Sequence, residues 1–458
     1  KKLYLLILLS ILSAHIIYAE SSNPPKVIGK VKHEKTHKHI PYLTVFVKGT
    51  SIGTSTDLEG KFTLRNLPSG EHTIRVQGIG YQPVEKKVNV TQGDVKEIEI
   101  EIEEDVFALE SAIVSANRNK QDRSETPVII SSVTPELFEQ TESVDLTESL
   151  KFTPGLRTEN SCQNCGVKQI RMNGLEGKYT QILINSKPLF SSLAGVYGLE
   201  QIPSSMIERV EIIRGGGSAL FGGNAIAGTV NLITKEPLKN TYEAGFHGYN
   251  IQAQANDFTL DFNTSIVNEA HTSGIFLFGM NRNRSSFDAN NDSFTEIPLM
   301  ENTSVGFNAF LRPSEQDKFT LDFHRIHEYR RGGNMLEALP HEADIAEEVT
   351  HDITGISLSY DRYSKNEKDK FSSYACTQIL NRESYYGANQ DLAGYGDTED
   401  MKSTFGVQYH HEAENFIFAP ATLTAGLEDT YTTLTDKKLG NDTINSKMIA
   451  EQEMNTFG

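Results

Sequence analysis

Apolar and polar residues alternate in short runs through the first part of the chain. Runs such as VIGKVK, PYLTVFVKG and KEIEIEIEE follow one another between residues 26 and 103, with turn residues between them. Alternation with a period of two predicts strands with one buried face, and strands that recur every ~8–12 residues are typical of a small β-sandwich. We therefore predict a β-sandwich over residues 26–103.

From residue 105 to residue 237 the pattern becomes mixed. Thr134-Pro135 predicts a helix start, and the apolar spacing from Val144 to Leu150 predicts a second short helix. The runs VKQIRMNG, YTQILINSKPL and ERVEIIRGGG predict strands that lead into glycine-rich turns. This segment is predicted to be a compact domain of mixed α and β structure.

Residues 238–458 contain longer alternating segments, with Phe and Tyr near their ends. Short turns such as SEQDK and KNEKDK alternate with longer loops such as SSFDANNDSFTEIPLM and GGNMLEALPHEADIAEEV. A soluble β-sandwich would also alternate, but the strand length and this asymmetry favour a transmembrane β-barrel with periplasmic turns and extracellular loops. At about 20 to 24 residues per strand and turn, the segment supplies about ten strands.

The first residues carry an export pattern. Lys1 and Lys2 precede the apolar run LYLLILLSIL, and Ala19 is a small residue suited to cleavage. This arrangement predicts a secretory signal peptide over residues 1–19, with an uncleaved anchor as the alternative. No later run reaches the roughly 18 apolar residues that a membrane-spanning helix needs. The net charge of −18 argues against a nucleic-acid partner, which would require Lys and Arg to displace counterions.

The chain has three cysteines. Cys162 and Cys165 lie close together in SCQNCG, so we expect an exported protein to join them in a disulfide and to leave Cys376 as a free thiol. A zinc site would need two more ligands at suitable spacing, and the sequence has no second CxxC. We therefore predict neither a metal site nor a cofactor.

Glycines cluster in the stretch RVEIIRGGGSALFGGNAIAGTVNLITKEP, from Arg209 to Pro237. A phosphate-binding P-loop would need a lysine directly after Gly222, and a dinucleotide fingerprint would need a glycine in place of Leu220. The nucleophile elbow GxSxG does not occur here either. We therefore predict that these glycines allow sharp turns and close backbone packing.

Three stretches resemble known domains. The stretch TDLEGKFTLRNLPSGEHTIRV resembles the carboxypeptidase-regulatory-like domain, an immunoglobulin-like or transthyretin-like β-sandwich. The stretches IRMNGLEGKYTQILINSKPL and IERVEIIRGGGSALFGGNAIAGTVNLITK closely resemble the plug domain of TonB-dependent outer-membrane receptors. The resemblance implies a mainly β chain in the outer membrane of a Gram-negative cell, with an N-terminal sandwich, a mixed α/β plug over residues 105–237 and a roughly 22-stranded transmembrane β-barrel. About ten strands after residue 237 would be the N-terminal part of that barrel, so we interpret the sequence as a fragment.

The resemblance also assigns roles to individual residues. It implies a TonB box, the segment that the inner-membrane TonB complex contacts, at Glu110, Ser111, Ala112, Ile113, Val114, Ser115 and Ala116. An extended stretch of this kind can add to the edge of a partner's sheet, and an ordinary linker strand is the alternative. The residues of the plug motifs are Arg171, Gly174, Arg209, Arg214, Gly215, Gly217, Gly222 and Gly228. We expect the three arginines to be structural and to pair with carboxylates of the barrel wall.

Candidate ligand-binding residues surround the second long loop. They are Tyr329, Arg330, Arg331, His341 and His351. Such a set suits a haem or an anionic chelate, and the alternative is an ordinary polar loop. His324 and His327 are three residues apart on a predicted strand, so we expect them to face opposite sides of the sheet.

The family resemblance implies import of a scarce, bulky nutrient. The expected cargo is a metal chelate such as a ferric siderophore, haem or cobalamin, with TonB and outer-membrane lipid as partners. The alternatives are an importer of glycans or peptides, an adhesin, and a receptor that only signals. The sequence shows no HExxH motif and no nucleophile–base or metal cluster, so we do not expect an enzyme.

Overall fold

The computed structural model describes most of the chain between residues 25 and 457. The residues outside the description are 1–24, 42, 58, 79–80, 104–112, 115–120, 123–129, 142, 144, 161–167, 189–201, 218–220, 223–224, 366–367, 418, 439–447 and 458. The predicted signal peptide lies among them. Within the described residues, no helix is both long and apolar enough to span a membrane.

The N-terminal part is a sandwich of two sheets. Its strands are β1 (Lys26–His33), β2 (Thr44–Val47), β3 (Gly53–Ser55), β4 (Lys61–Arg65), β5 (Gly70–Gly78), β6 (Tyr81–Val90) and β7 (Val95–Ile102). One sheet has the order β4-β1-β7, with β1 and β7 parallel, and the other has the order β3-β2-β5-β6. Alternate residues of both sheets, such as Val31, Val45 and Ile74, meet in one apolar core. The predicted sandwich is confirmed.

The middle part, which we call the plug, contains short strands and two short helices. They are β8 (Ile113–Val114), β9 (Gln121–Asp122), β10 (Ile130–Val133), α1 (Pro135–Gln140), α2 (Leu146–Leu150), β11 (Leu156–Asn160), β12 (Lys168–Met172), β13 (Thr180–Ile184), β14 (Ile207–Arg214) and β15 (Gly228–Thr234). The main sheet has the order β10-β14-β15-β13, while β11 pairs with β12 and β8 with β9. Every residue of β13 and β15 is buried, so these strands read as nearly continuous apolar runs.

Ten strands among the described residues form one antiparallel sheet in sequence order, which we call the wall. They are β16 (Thr241–Ile251), β17 (Ala255–Val267), β18 (Ser273–Arg284), β19 (Leu299–Leu311), β20 (Asp317–Gly333), β21 (Ile345–Tyr363), β22 (Asp369–Ala388), β23 (Tyr395–Phe416), β24 (Ala419–Lys438) and β25 (Met448–Phe457). The loops at 285–298 and 334–344 lie at one end, the loop end, and the turns at 268–272 and 312–316 lie at the other, the turn end. The predicted barrel-like segment and its asymmetric connections are confirmed.

The plug packs directly on one face of the wall. Phe276 and Phe278 of β18 and Ile326 of β20 belong to the same apolar cluster as the plug residues Leu146 and Met206. These wall residues are at most 6% exposed. The hydrophobic core of the plug therefore extends onto the inward face of the wall.

Candidate functional site

The glycine-rich connection between β14 and β15 shapes the plug. Gly215 and Gly222 have φ angles of +90° and +101°, which residues with a side chain rarely adopt. Gly228 has φ of +150°, and a Cβ added there would lie 2.3 Å from the carbonyl oxygen of Ile213. Sharp turns at Gly215 to Gly217 and Gly222-Gly223 predict positive φ at several of these residues. This is confirmed at Gly215 and Gly222, whereas Gly217 lacks a positive φ and is instead crowded by Phe221. Gly174, in the turn after β12, has φ of +80°.

The arginines of the plug motifs have partners within the plug. Arg209 is 7% exposed, and its guanidinium donates to Glu211 and Glu208 at 3.0 Å and 2.7 Å. Arg171 pairs with Glu159 on the neighbouring strand, and Arg214 donates to the carbonyl oxygen of Pro154. The structural role is as expected, but the expected pairing with wall carboxylates is replaced by pairing inside the plug. The reason is that β14 lies in the interior of the plug sheet, where Glu211 is the nearest buried acid.

A first ion pair joins the plug to the wall at Lys187. This plug residue is 9% exposed, and its Nζ lies 3.1 Å from Oδ2 of Asp322 on β20. The same Nζ donates to the hydroxyls of Ser357 and Ser359 at 2.8 Å and 2.7 Å. Asn308 of the wall and Asn185 of the plug both donate to the other oxygen of this carboxylate. The pair is buried and has several hydrogen bonds, the arrangement that a buried charge requires.

A second ion pair joins them at Asp145, the residue before α2. One carboxylate oxygen caps the helix by accepting from the amide of Glu148 at 3.1 Å, and the other lies 3.0 Å from Nη1 of Arg282 on β18. Arg282 in turn holds Asp257 through three hydrogen bonds, at 3.0 Å, 3.3 Å and 2.7 Å. Burial opposes ionisation of Asp145, but the charges of Lys168 and Arg282 outweigh it and lower its pKa to about 2.

The sequence did not single out either plug–wall pair. The wall residues lie at inward positions of strands whose residues alternate between the two faces, so the direction of their side chains follows from the sequence pattern. Their partners depend on how a separate domain docks on the sheet, which no local pattern contains. The signal that was available is the presence of charged residues at positions predicted to be inward.

The candidate ligand-binding residues are divided between the two faces of the wall. Arg330 and His351 face inward with Glu328, and all three are at most 2% exposed. Arg330 donates to both oxygens of Glu328 at 2.9 Å, and Nδ1 of His351 lies 3.6 Å from one of them. In this inward cluster Arg330 and His351 both lie against the carboxylate of Glu328, to which Asn302 also donates at 3.2 Å.

The remaining candidates lie around the loop at residues 334–344. Tyr329 donates to Glu348 at 2.8 Å, and Arg331 lies beside the same carboxylate while donating to the carbonyl oxygen of Asn334. Nδ1 of His341 lies 2.8 Å from the hydroxyl of Tyr395. These contacts fasten the loop to the wall, so the structure does not bring the five candidates into one site.

Several sequence-predicted residues fall partly or wholly outside the description. Ile113 and Val114 pair with Asp122 and Gln121 as a short antiparallel ladder, and the remaining residues of the predicted TonB box lie outside the described residues. Cys162 and Cys165 lie there too, so their disulfide stays a prediction. Cys376 is a buried free thiol, as expected.

One group of carboxylates in the loop at residues 285–298 has metal-ligand spacing. Oxygens of Asp288, Asp292 and Glu296 lie within 4.8 Å of one another, and the side chains are exposed or half-buried. Asp288 accepts the amides of Asn291 and Ser293, which shapes the loop. The sequence predicted no metal site, and this acidic cluster is what the described residues offer a cation.

Comparisons with known proteins agree with this architecture. The family models of the CarboxypepD_reg-like domain and the TonB-dependent Receptor Plug Domain match residues 27–114 and 122–229. The Vitamin B12 transporter BtuB of Vibrio vulnificus strain CMCP6 is 30% identical over 131 residues, which make up 29% of this chain and 22% of that protein.

Solved receptors share the fold at low sequence identity. The siderophore receptor PirA of Acinetobacter baumannii superposes with a TM-score of 0.57 and 18% identity, covering 67% of this chain and 48% of that one. The ferric-catecholate import receptor Fiu of K12 E. coli gives 0.54 and 14%, covering 72% and 50%. The chain thus spans about half the length of these receptors.

The matches and the fold agree. The chain contains a CarboxypepD_reg-like domain and a TonB-dependent Receptor Plug Domain, and it shares the fold of solved TonB-dependent receptors, which confirms the resemblance seen in the sequence.

Proposed function

We propose that the protein is an outer-membrane transporter that imports a bulky metal chelate with energy delivered through TonB. The observation that carries this proposal is the buried, ion-paired packing of the plug on the wall, at Lys187–Asp322 and Asp145–Arg282. A plug held in this way obstructs passage, so a transporter built on it needs work to open. The proposal extends to the whole protein what the described part of the chain supports.

The outward face of the wall supports a place in a membrane. On β17 the inward residues Asp257, Thr259 and Asn263 are polar and at most 5% exposed, whereas the outward residues Phe258 and Leu260 are 46% and 60% exposed. This pattern is the reverse of a soluble protein's, because the outward residues face lipid in a barrel. Other exposed apolar residues on the outward positions are Phe246, Phe262, Ile266, Val305, Ile356, Leu358, Phe405 and Leu427.

The segment before the plug supports the energy coupling. Ile113 and Val114 have extended backbone and already pair with a short strand, so the same backbone groups can pair with the sheet edge of TonB instead. The proposed TonB box is residues 110–116. The relatives are named for vitamin B12, siderophore and ferric-catecholate transport, which supports a chelate as the cargo class. The relatives are transporters and receptors, which supports a protein that is not an enzyme.

Growth on defined nutrients tests the function. A strain that lacks the gene and is supplied with the full-length protein should grow on one limiting ferric siderophore, haem or cobalamin, and Val114→Pro should abolish that growth. Proline removes the N–H and fixes φ, so strand pairing fails. Val114→Thr keeps the backbone N–H and an unrestricted φ, and it serves as the matched control. Surface binding of labelled chelate should be equal in both variants.

The outcomes separate the alternatives. Growth with Val114→Pro equal to wild type would show that the TonB box lies elsewhere. Binding of a chelate without any growth advantage would support a receptor that only signals. Attachment to a surface without chelate binding would support an adhesin, and growth only on glycans or peptides would change the cargo class.

A further inference from the structure

The sandwich contacts the turn end of the wall. The backbone N–H and the hydroxyl of Ser51 both donate to the carbonyl oxygen of Glu315 at 3.0 Å. The side-chain amide of Asn66 donates to the carbonyl oxygen of Ala270, also at 3.0 Å. Glu315 lies in the turn between β19 and β20, and Ala270 in the turn between β17 and β18. The sandwich is therefore docked beneath four neighbouring strands of the wall.

Charged groups surround these hydrogen bonds. Burial raises the pKa of Glu315, which lies near His72 of the sandwich. Burial, together with the positive charges of Arg312 and Arg65, lowers the pKa of His271. The contact therefore excludes some water, yet in the described part of the chain it is made by polar groups of turns, and no apolar core cluster spans it. A surface of this kind can separate and form again.

A cavity of about 1440 Å³ lies among the sandwich, the plug and the wall. The sandwich lines it with Thr44, Phe46 and Gln77, and the plug lines it with Asn185, Lys187 and Arg209. Because of this space, a force on the segment between the two domains reaches each domain through its own length of chain. The two lengths differ.

We call the chain segment that joins β8 to β7 the arm to the sandwich, and the segment that joins β8 to β10 the arm to the plug. The arm to the sandwich is the shorter of the two. Ile113 comes 11 residues after Ile102, the end of β7, and fully extended chain of that length spans about 40 Å. Val114 lies 16 residues before Ile130, the start of β10, which corresponds to about 55 Å. A pull on β8 therefore loads the sandwich through the connection with the shorter contour length.

We propose that the docking of the sandwich on the turn end is a latch that opens before the plug when β8 is pulled. This inference rests on the proposed function, in which TonB pulls on β8. The sandwich leaves as a folded body, because β7 is held by eight residue pairs with β1 and the domain has an apolar core of its own. Among the described residues, three hydrogen bonds to two turns hold the docking contact, and we expect this contact to yield before the plug. When the docking contact opens, β8 can move further from the wall and transmit the pull to β10.

Single-molecule pulling on the full-length protein in a lipid bilayer tests the latch. The force is applied through a click handle at position 114. We expect a low-force opening event before any unfolding of the plug. In a Ser51→Cys, Glu315→Cys variant closed by a short cleavable thiol cross-linker, this event should disappear and return when the linker is cleaved.

The matched control is Arg75→Cys with Glu85→Cys within the sandwich, where Nη1 of Arg75 lies 3.2 Å from Oε1 of Glu85. The same cross-linker there should leave the low-force event in place. An unchanged first event in the Ser51–Glu315 cross-linked protein would overturn the proposal. The pulling needs neither ligand nor TonB, so it decides on the latch even if the uptake assay shows that the protein does not transport.

Discussion

The sandwich and the plug bury their cores in different ways. The sandwich core consists of residues from its own two sheets, such as Val31, Val45 and Ile74. The plug core continues onto the wall through Phe276 and Phe278. The sandwich is thus complete as a folding unit, whereas the plug owes part of its stability to the surface it blocks.

The difference extends to the charges. The ion pairs of the sandwich lie on its surface, for example Lys61–Glu59, whose side chains are 46% and 68% exposed. The plug instead places Lys187 and Asp145 in buried contact with the wall. Surface pairs contribute little to stability, while a buried pair loses several kcal/mol when one partner is removed. Buried ion pairs thus add to the apolar packing that holds the plug on the wall, and removal of one partner breaks each pair.

The largest expected effect comes from Lys187→Met. Asp322 would stay buried without its cation, so the free energy of local opening of the plug should fall by about 3 kcal/mol. Hydrogen exchange of the amides of β13 in the full-length protein in lipid measures this opening. Lys61→Met is the matched control and should leave these amides unchanged. Adding Asp322→Asn to Lys187→Met should restore part of the protection, and failure to do so would assign the loss to packing rather than to charge.

A smaller effect is expected from acid. A carboxyl with a lowered folded pKa stabilises the fold above its unfolded pKa near 3.9, and this contribution is lost as the pH falls towards its folded pKa of about 2. For Asp145 the contribution is about 2.5 kcal/mol. Pulse hydrogen exchange of α2 between pH 6 and pH 2 should show protection falling across that window. Asp145→Asn should be less protected at pH 6 and nearly independent of pH, and an unchanged pH profile in this variant would contradict the assignment.

The sequence predicted the three-part architecture because each part has its own alternation pattern. The alternation with a period of two also constrains which residues can share a binding site. The period of two that placed His324 and His327 on opposite faces also separates Arg330 from Arg331, and applied there it would have divided the ligand candidates.

Contacts between parts could not be predicted in this way. Arg209 pairs with Glu211 because two residues along a strand return to the same face, which is local information. Lys187 meets Asp322 only because a turn of the plug docks on strands β20 and β21 of the wall. Such contacts depend on how whole domains fit together, and the sequence contains them only through the complete fold.

A still smaller effect is expected at the glycines. Gly222→Ala should cost about 1 kcal/mol, because its φ of +101° is strained for any residue with a Cβ. Gly216→Ala is the matched control, since its φ is not positive and an added Cβ would have its nearest neighbour 4.0 Å away. Thermal melts of the full-length protein compare the two. Equal melting temperatures in both variants would show that the turn adapts.

The smallest effect should follow from undocking the sandwich. Ser51→Ala together with Asn66→Ala removes two of the three hydrogen bonds to the wall turns while leaving the sandwich core untouched. The amide of residue 51, which donates to Glu315, should then exchange at least several-fold faster. The amides of β13 and β15 should stay within about two-fold of wild type, because a cavity lies among the sandwich, the plug and the wall. Faster exchange in these plug strands would mean that the sandwich stabilises the plug as well. The plug would then depend on both the wall and the sandwich, and not on the wall alone.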